Sequence, residues 1–201
     1  AAAVAALQID DEPCTVMLGA SGTIARSTPA ALDAWESRST SDERTKDDHI
    51  VSIFRTTTRS SYGLVTSAGR LVLAHVVELP KVSADGPLSV TGGVKAEELL
   101  GMTENTDPIR GERVIAAIDM PSTDDGGQLV PLALGTRNGV VKRWNRESPT
   151  TMDSWSVIDL KDDDEVLAAA EARDEDRLVF VSTDSSLLTF EAKNVRPQGR
   201  T

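Results

Sequence analysis

The 201-residue sequence has one cysteine, Cys14, so no disulfide can form within the chain, and a reducing compartment suits it. Aromatic residues make up only 3 %, which argues against base stacking as a main binding mode. No run of eighteen apolar residues occurs, which excludes a membrane-spanning helix. No glycine-rich loop leads into Lys-Ser or Lys-Thr, so there is no phosphate cradle for ATP. The two histidines, His49 and His75, are separated from Cys14 and from each other, and all three read as structural or surface residues rather than a nucleophile and its base. Asp162-Asp163-Asp164-Glu165 lacks the spaced ligands and glycine of a calcium loop and reads as a solvated turn. Asp124-Asp125-Gly126-Gly127 reads as a hairpin turn. No catalytic residue, metal site or cofactor is expected in this chain.

A surplus of basic charge is also missing. The net charge is −11, which at first sight argues against a nucleic-acid partner. The charge is unevenly spread, however. Residues 161–176 carry a net −6 and residues 33–48 a net −3, leaving about −2 for the rest. Local distribution therefore decides the matter. The Ala-rich opening, residues 1–12, has no preceding basic segment and reads as a linker.

What the sequence does have is self-similarity. Four segments share the form strand, four-residue turn, strand: TVMLGASGTIARS from Thr15, YGLVTSAGRLVLAHVVELP from Tyr62, PLALGTRNGVVKRW from Pro131 and RLVFVSTDSSLLTFEAKNVRP from Arg177. Aligned on the turn, Gly22, Gly69, Gly139 and Ser186 fall together, at spacings of 47, 70 and 47 residues. Glycine supplies the positive φ that such turns need. A lone hairpin is marginal in water, so each must join a larger sheet. Further strands are expected at His49–Phe54, Val114–Ile118, Trp155–Leu160 and Val166–Ala170, and short helices at Pro29–Arg38 and Lys95–Leu100. The arithmetic is that of four-stranded propeller blades. The expected division is 13–48, 49–112, 113–158 and 159–201, with Lys81–Arg110 as an extended surface connection. Trp144 and Trp155 read as blade packing.

HIVSIFRTTTRSSYGLVTSAGRLVLAHVVELP, with its conspicuous Leu79-Pro80, and the closing Val195-Arg196-Pro197-Gln198-Gly199-Arg200 resemble the blade sequences of the C-terminal domain of bacterial type II DNA topoisomerase A subunits, those of DNA gyrase and topoisomerase IV. The resemblance runs from Pro13 to Arg200. It implies an all-β fold, a β-pinwheel whose blades exchange strands, here an incomplete set of the family's five or six. It also implies a non-catalytic, DNA-binding and DNA-bending domain that tunes the supercoiling, relaxation or decatenation carried out by the rest of an ATP- and Mg2+-using enzyme. The implied partners are double-stranded DNA, the cleavage core of the same polypeptide and a B subunit in an A2B2 heterotetramer. The isolated domain would be monomeric, cytoplasmic and on the nucleoid. The strand-cleaving tyrosine of the family lies in another domain, so Tyr62 is not assigned that role. One departure stands out. Where gyrases carry a Gly- and Arg-rich box, this chain reads ALDAWESRSTSDERTKDD, closer to a topoisomerase IV-like or divergent paralogue.

DNA wrapping needs cations along a rim, because neutralising phosphates releases counterions without reading sequence. The expected DNA-binding residues are Arg26, Arg55, Arg59, Arg70, Lys142, Arg143, Arg146, Arg196 and Arg200. The fourth repeat, with Ser186 and Thr189 at the matched positions, is expected to bind least. The alternative reading is a propeller-like protein-interaction module that uses its acidic loops and does not touch DNA.

Overall fold

The computed structural model describes residues 9–37, 49–82, 89–101, 111–120, 129–161 and 163–199. Strands dominate. Four hairpins form at β1 (Pro13–Gly19) with β2 (Thr23–Ser27), β4 (Ser61–Thr66) with β5 (Arg70–His75), β8 (Leu132–Thr136) with β9 (Val141–Trp144), and β12 (Arg177–Val181) with β13 (Leu187–Glu191). The remaining strands are β3 (Ile50–Thr57), β6 (Val94–Lys95), β7 (Val114–Asp119), β10 (Ser154–Ser156), β11 (Val166–Glu171) and β14 (Pro197–Gln198). The short helices are Ala30–Glu36 and Ala96–Leu99, near their expected places.

Each turn is built the same way. The NH of the third residue beyond the turn's start bonds back to its carbonyl, Gly22 to Gly19, Gly69 to Thr66 and Gly139 to Thr136, and all three glycines have φ between 76° and 82°. Thr66 and Thr136 add their Oγ1 as acceptors for the NH groups of Arg70 and Val140, at 3.4 and 3.0 Å. In the fourth hairpin the matching bond runs from Ser185 to Ser182, and Ser185, not Ser186, has positive φ, 67°. The fourth repeat therefore sits one residue earlier than the expected alignment. A non-glycine residue in the left-handed region concealed the register.

The sheets follow one rule. Their strand orders are β3-β1-β2-β6, β10-β5-β4-β7 and β11-β8-β9-β14. The first strand of each of these hairpins pairs with the strand just before the next hairpin: β1 with β3, β4 with β7, β8 with β11. The second strand takes one from beyond the next hairpin: β2 with β6, β5 with β10, β9 with β14. Every completed sheet thus mixes its own hairpin with strands that flank its successor. None of these three four-stranded sheets is made by one contiguous segment. Among the described residues, β12 and β13 pair only with each other.

The strands β3, β7 and β11 make the hub. β7 touches β3 on one side and β11 on the other, and the Ala117 NH donates to Ser52 Oγ at 3.1 Å. Apolar side chains fill the spaces between sheets. Val16, Leu18, Ile24, Tyr62 and Leu64 pack between the first and second, and Val65, Leu71, Leu132, Leu134, Trp144 and Trp155 between the second and third. The two tryptophan rings meet edge to face with centroids 6.4 Å apart, as packing residues. The strand expected at Trp155–Leu160 stops at Ser156, because the Val157 and Ile158 NH groups both turn to the Gly69 carbonyl and wrap that turn.

The wrapped turn and a bare one should respond differently to the same change. A Cβ on Gly69 would lie 2.8 Å from both Cγ2 and the backbone oxygen of Ile158, whereas one on Gly139 would meet nothing within 4 Å. Gly139→Ala should cost about 1 kcal/mol for the left-handed backbone alone. Gly69→Ala should cost more, about 2–4 kcal/mol, through the added clash. Urea unfolding of the two variants measures the difference.

Candidate nucleic-acid interface

The structure describes eight of the nine expected cations, and it disperses them. Arg143 is fully buried. One guanidinium nitrogen donates to the Ala192 and Val195 carbonyls at 3.0 and 3.1 Å; the other donates to the Ala172 carbonyl at 2.9 Å and Asp174 Oδ1 at 2.8 Å. Arg146 is also buried, pairing with Glu171 at 2.7 Å and reaching the Asp119 carbonyl. Lys142 is buried, and desolvation pulls its ammonium pKa down despite Asp159. These three are buried between strands rather than set on an outer rim, the position expected for DNA contacts. Arg26 is half-buried, with Nε donating to the Leu79 carbonyl at 2.9 Å. Arg55 is exposed and paired with Asp33; Arg59 is exposed, with Nε bonded to the Ile9 carbonyl at 2.7 Å. Arg196 is exposed, and Arg200 lies outside the described residues.

The recurrence of basic residues after the hairpins has a structural cause. Arg26 and Arg143 each stand four residues beyond their turn glycine, so they share a strand face. Arg70 stands one residue beyond and Lys142 three, which puts both on the opposite face. The four do not form one rim. Arg26 and Arg143 point instead at the short 3-10 turn that follows the next hairpin, Val76–Glu78 and Ala192–Asn194 respectively. The chain then runs parallel to the earlier hairpin. The Arg26 NH donates to the Pro80 carbonyl at 2.9 Å, and β14 pairs with β9 at Pro197 and Gln198. The Leu79-Pro80 and Val195-Arg196-Pro197 connectors are thus straps between blades, and the arginines fasten them.

A different set of arginines does come together, around the turns of the second and third hairpins. Arg70 grips Glu112 with two bonds of 3.1 and 2.6 Å. Arg113 and Arg137 both pair with Glu165, the former at 3.3 Å. Backbone bonds fix these groups. The Arg113 NH donates to Ser67 Oγ at 3.0 Å, the Val166 NH to the Ser67 carbonyl at 2.8 Å, and the Arg137 NH to the Glu165 carbonyl at 2.9 Å. The three guanidiniums are exposed while both carboxylates lie largely beneath them. Positive groups therefore form the outer layer. Sequence reasoning missed Arg113 and Arg137. Arg137 was detectable, since it stands within the third tight turn; Arg113 was not, because a chain segment distant in sequence places it.

Asp164 props the third turn. It accepts from the NH groups of Asn138 and Glu165 at 3.0 and 2.9 Å and is buried, not solvated as expected. Burial alone would raise its pKa, but hydrogen bonds from Thr136 and from the two backbone NH groups outweigh this and hold it below the ordinary carboxylate range. Asp162 and Asp124–Gly127 lie outside the described residues. Tyr62 is buried in the core and burial pushes its phenol far up, while Cys14 is buried and His49 and His75 are exposed. Among the described residues no group of three His, Cys, Asp or Glu side chains could hold a metal ion.

Two consequences can be measured. Arg143→Met should cost about 2–4 kcal/mol by leaving buried carbonyls without donors, whereas Arg55→Ala should cost under about 1 kcal/mol. Equal losses in urea titrations would contradict the fastening role of Arg143. Because the Asp164 pKa is lowered on folding, its contribution is present above the unfolded carboxylate pKa and fades as pH falls through the folded value. Asp164→Asn should therefore lower stability at pH 7 and make it fall less steeply below about pH 4, near the ordinary Asp pKa.

No family model matches the chain. The gyrase A protein of Mycolicibacterium smegmatis is 29 % identical over 159 residues, which cover 77 % of this chain and 17 % of that protein. The chain therefore spans about a sixth of the length of this curated relative. A C-terminal domain of DNA topoisomerase IV superposes with a TM-score of 0.65 at 21 % identity, over 96 % of this chain and 56 % of that one. A DNA gyrase A C-terminal domain superposes with a TM-score of 0.50 at 20 % identity, over 94 % and 58 %. The strand exchange seen here is accordingly that of the β-pinwheel, the fold of the C-terminal domains of DNA topoisomerase IV and DNA gyrase A.

Proposed function

We propose that this chain is the DNA-binding C-terminal domain of a type II topoisomerase of the gyrase A and topoisomerase IV kind. The single observation that carries DNA contact is the cluster of Arg70, Arg113 and Arg137, whose charges face outward over two recessed carboxylates. The fold and the gyrase A similarity support the parent enzyme. In this reading the domain holds duplex DNA beside the cleavage core of its own polypeptide, which works with a B subunit in an A2B2 enzyme in the cytoplasm, on the nucleoid. The chain contributes no catalytic group and no cofactor; ATP and Mg2+ serve other parts of that enzyme.

The same geometry limits the affinity. Each cluster arginine already has a carboxylate partner, and the chain carries −11 overall. Bending a 20–30 bp segment by 40–90° costs about 1–6 kcal/mol. Binding should therefore be weak, sequence-tolerant and steeply salt-dependent, with little wrapping. The second reading, a protein-interaction module, is favoured by the net negative charge.

Gel retardation and ligation of nicked circles in the presence of the domain separate these readings. DNA binding should fall steeply between 50 and 200 mM salt, with at most a small linking-number shift. The triple variant Arg70→Gln/Arg113→Gln/Arg137→Gln should weaken binding at least tenfold and make the salt slope shallower by about 2–3. Affinity unchanged by salt or by the triple variant would refute the interface. Absence of any retardation would favour the interaction module.

A further inference from the structure

The place just before a hub strand is built alike in three blades, but its charge differs. The hub strands start opposite the first residue of each turn: Ile50 opposite Gly19, Val114 opposite Thr66 and Val166 opposite Thr136. The residues just before them are His49, Arg113 and Glu165. Their carbonyls accept the NH groups of the turns' second residues, Ala20, Ser67 and Arg137, at 2.8, 2.8 and 2.9 Å. One backbone position thus carries a cation on the second blade and an anion on the third.

These opposite charges meet across the seam between the two blades. Glu165 pairs with Arg113 of the second blade at 3.3 Å and with Arg137 in the turn of its own blade. Its side chain is 16 % exposed, against 54 % and 60 % for the two arginines. The carboxylate lies beneath the guanidiniums, and its backbone is held on both sides. The Glu165 NH donates to Asp164 Oδ1 at 2.9 Å, and the Glu165 carbonyl accepts from the Arg137 NH. Asp164 is itself buried.

The count of charges at the seam follows. One carboxylate against two guanidiniums leaves a single net positive charge where an uncharged side chain would leave two. Glu112 grips Arg70 with two bonds, so Glu165 is the carboxylate that offsets two cations at once. Because it is recessed, water and salt screen it less than an exposed acid.

On the DNA-contact reading given above, we propose that Glu165 sets how tightly the Arg70, Arg113 and Arg137 cluster holds duplex DNA. It is a built-in competitor for phosphate, placed where the neighbouring blade has a cation. Glutamine at this position keeps the length and the carbonyl acceptor but removes the charge. Both arginines would then meet phosphate undiscounted.

Gel retardation of a duplex of about 30 bp, titrated with salt, tests this. Glu165→Gln should bind about threefold or more tightly than the unsubstituted chain, with a salt slope steeper by about 1. Glu175→Gln makes the same charge change at an exposed residue between β11 and β12, and should bind within about 1.5-fold of the unsubstituted chain. Unchanged or weaker binding by Glu165→Gln would overturn the proposal; the weaker result would make Glu165 a support for the arginines instead. An equal gain in Glu175→Gln would overturn it too, since net charge alone would then explain the effect. Should Glu165→Gln not fold, Arg113→Gln is compared with Arg113→Gln/Glu165→Gln, which removes both partners of one pair. The double variant should bind about threefold or more tightly than the single one, because Arg137 is released, and equal or weaker binding would overturn the proposal. Retardation by none of these proteins would overturn the DNA-contact reading and this proposal with it. Retardation that is lost in the triple arginine variant but unmoved by Glu165→Gln would remove only the competitor.

Discussion

A two-stranded hairpin has two open edges and cannot cover its own apolar faces, and every other feature of this molecule answers that constraint. The first three hairpins are completed by strands that belong to the sequence around the next hairpin. No sheet is finished until its successor has folded, so neighbouring blades are linked by backbone hydrogen bonds as well as by apolar contact. The turn geometry, the straps and the buried arginines all sharpen this linkage. Among the described residues no further strand joins β12 and β13, and there valine and leucine side chains face solvent.

The constraint also sorts the arginines. Strand exchange brings carbonyl groups of a later 3-10 turn against an earlier hairpin, and a buried carbonyl needs a donor. Arg143 and Arg26 supply it. Arginine suits this place because its planar fork reaches several acceptors at once and is more weakly hydrated than an ammonium group. The arginines at the turn ends meet the opposite situation. Their carboxylate partners are recessed and their outer sides face water, where a phosphate can approach. Identical side chains thus stand buried as fasteners or face water according to strand face and distance from the turn.

Much of the fold was legible in the sequence, because hairpin turns are local. Gly22, Gly69 and Gly139 announce positive φ, and the threonines before two of them add a side-chain bond. The hub strands were legible as short apolar runs. The fourth turn was misplaced by one residue, since Ser185 takes a conformation that serine seldom takes. The outer strand at Ser154 was drawn too long, because wrapping around Gly69 is a tertiary event. The candidate site was read least well. Charge along a sequence does not tell which face a side chain takes, and the partners of Arg143 lie 29 to 52 residues away. Glu165, which joins Arg113 to Arg137, is likewise remote from Arg113.

The central claim is that blades share strands and so share stability. Native-state hydrogen exchange of Leu64→Ala tests it most directly, because Leu64 lies on β4 and its truncation should cost about 2–5 kcal/mol. Protection should fall together in β1, β4 and β8, by similar factors. A loss confined to β4 and β5, with β1 and β8 unchanged, would show that the blades are independent and would contradict the account.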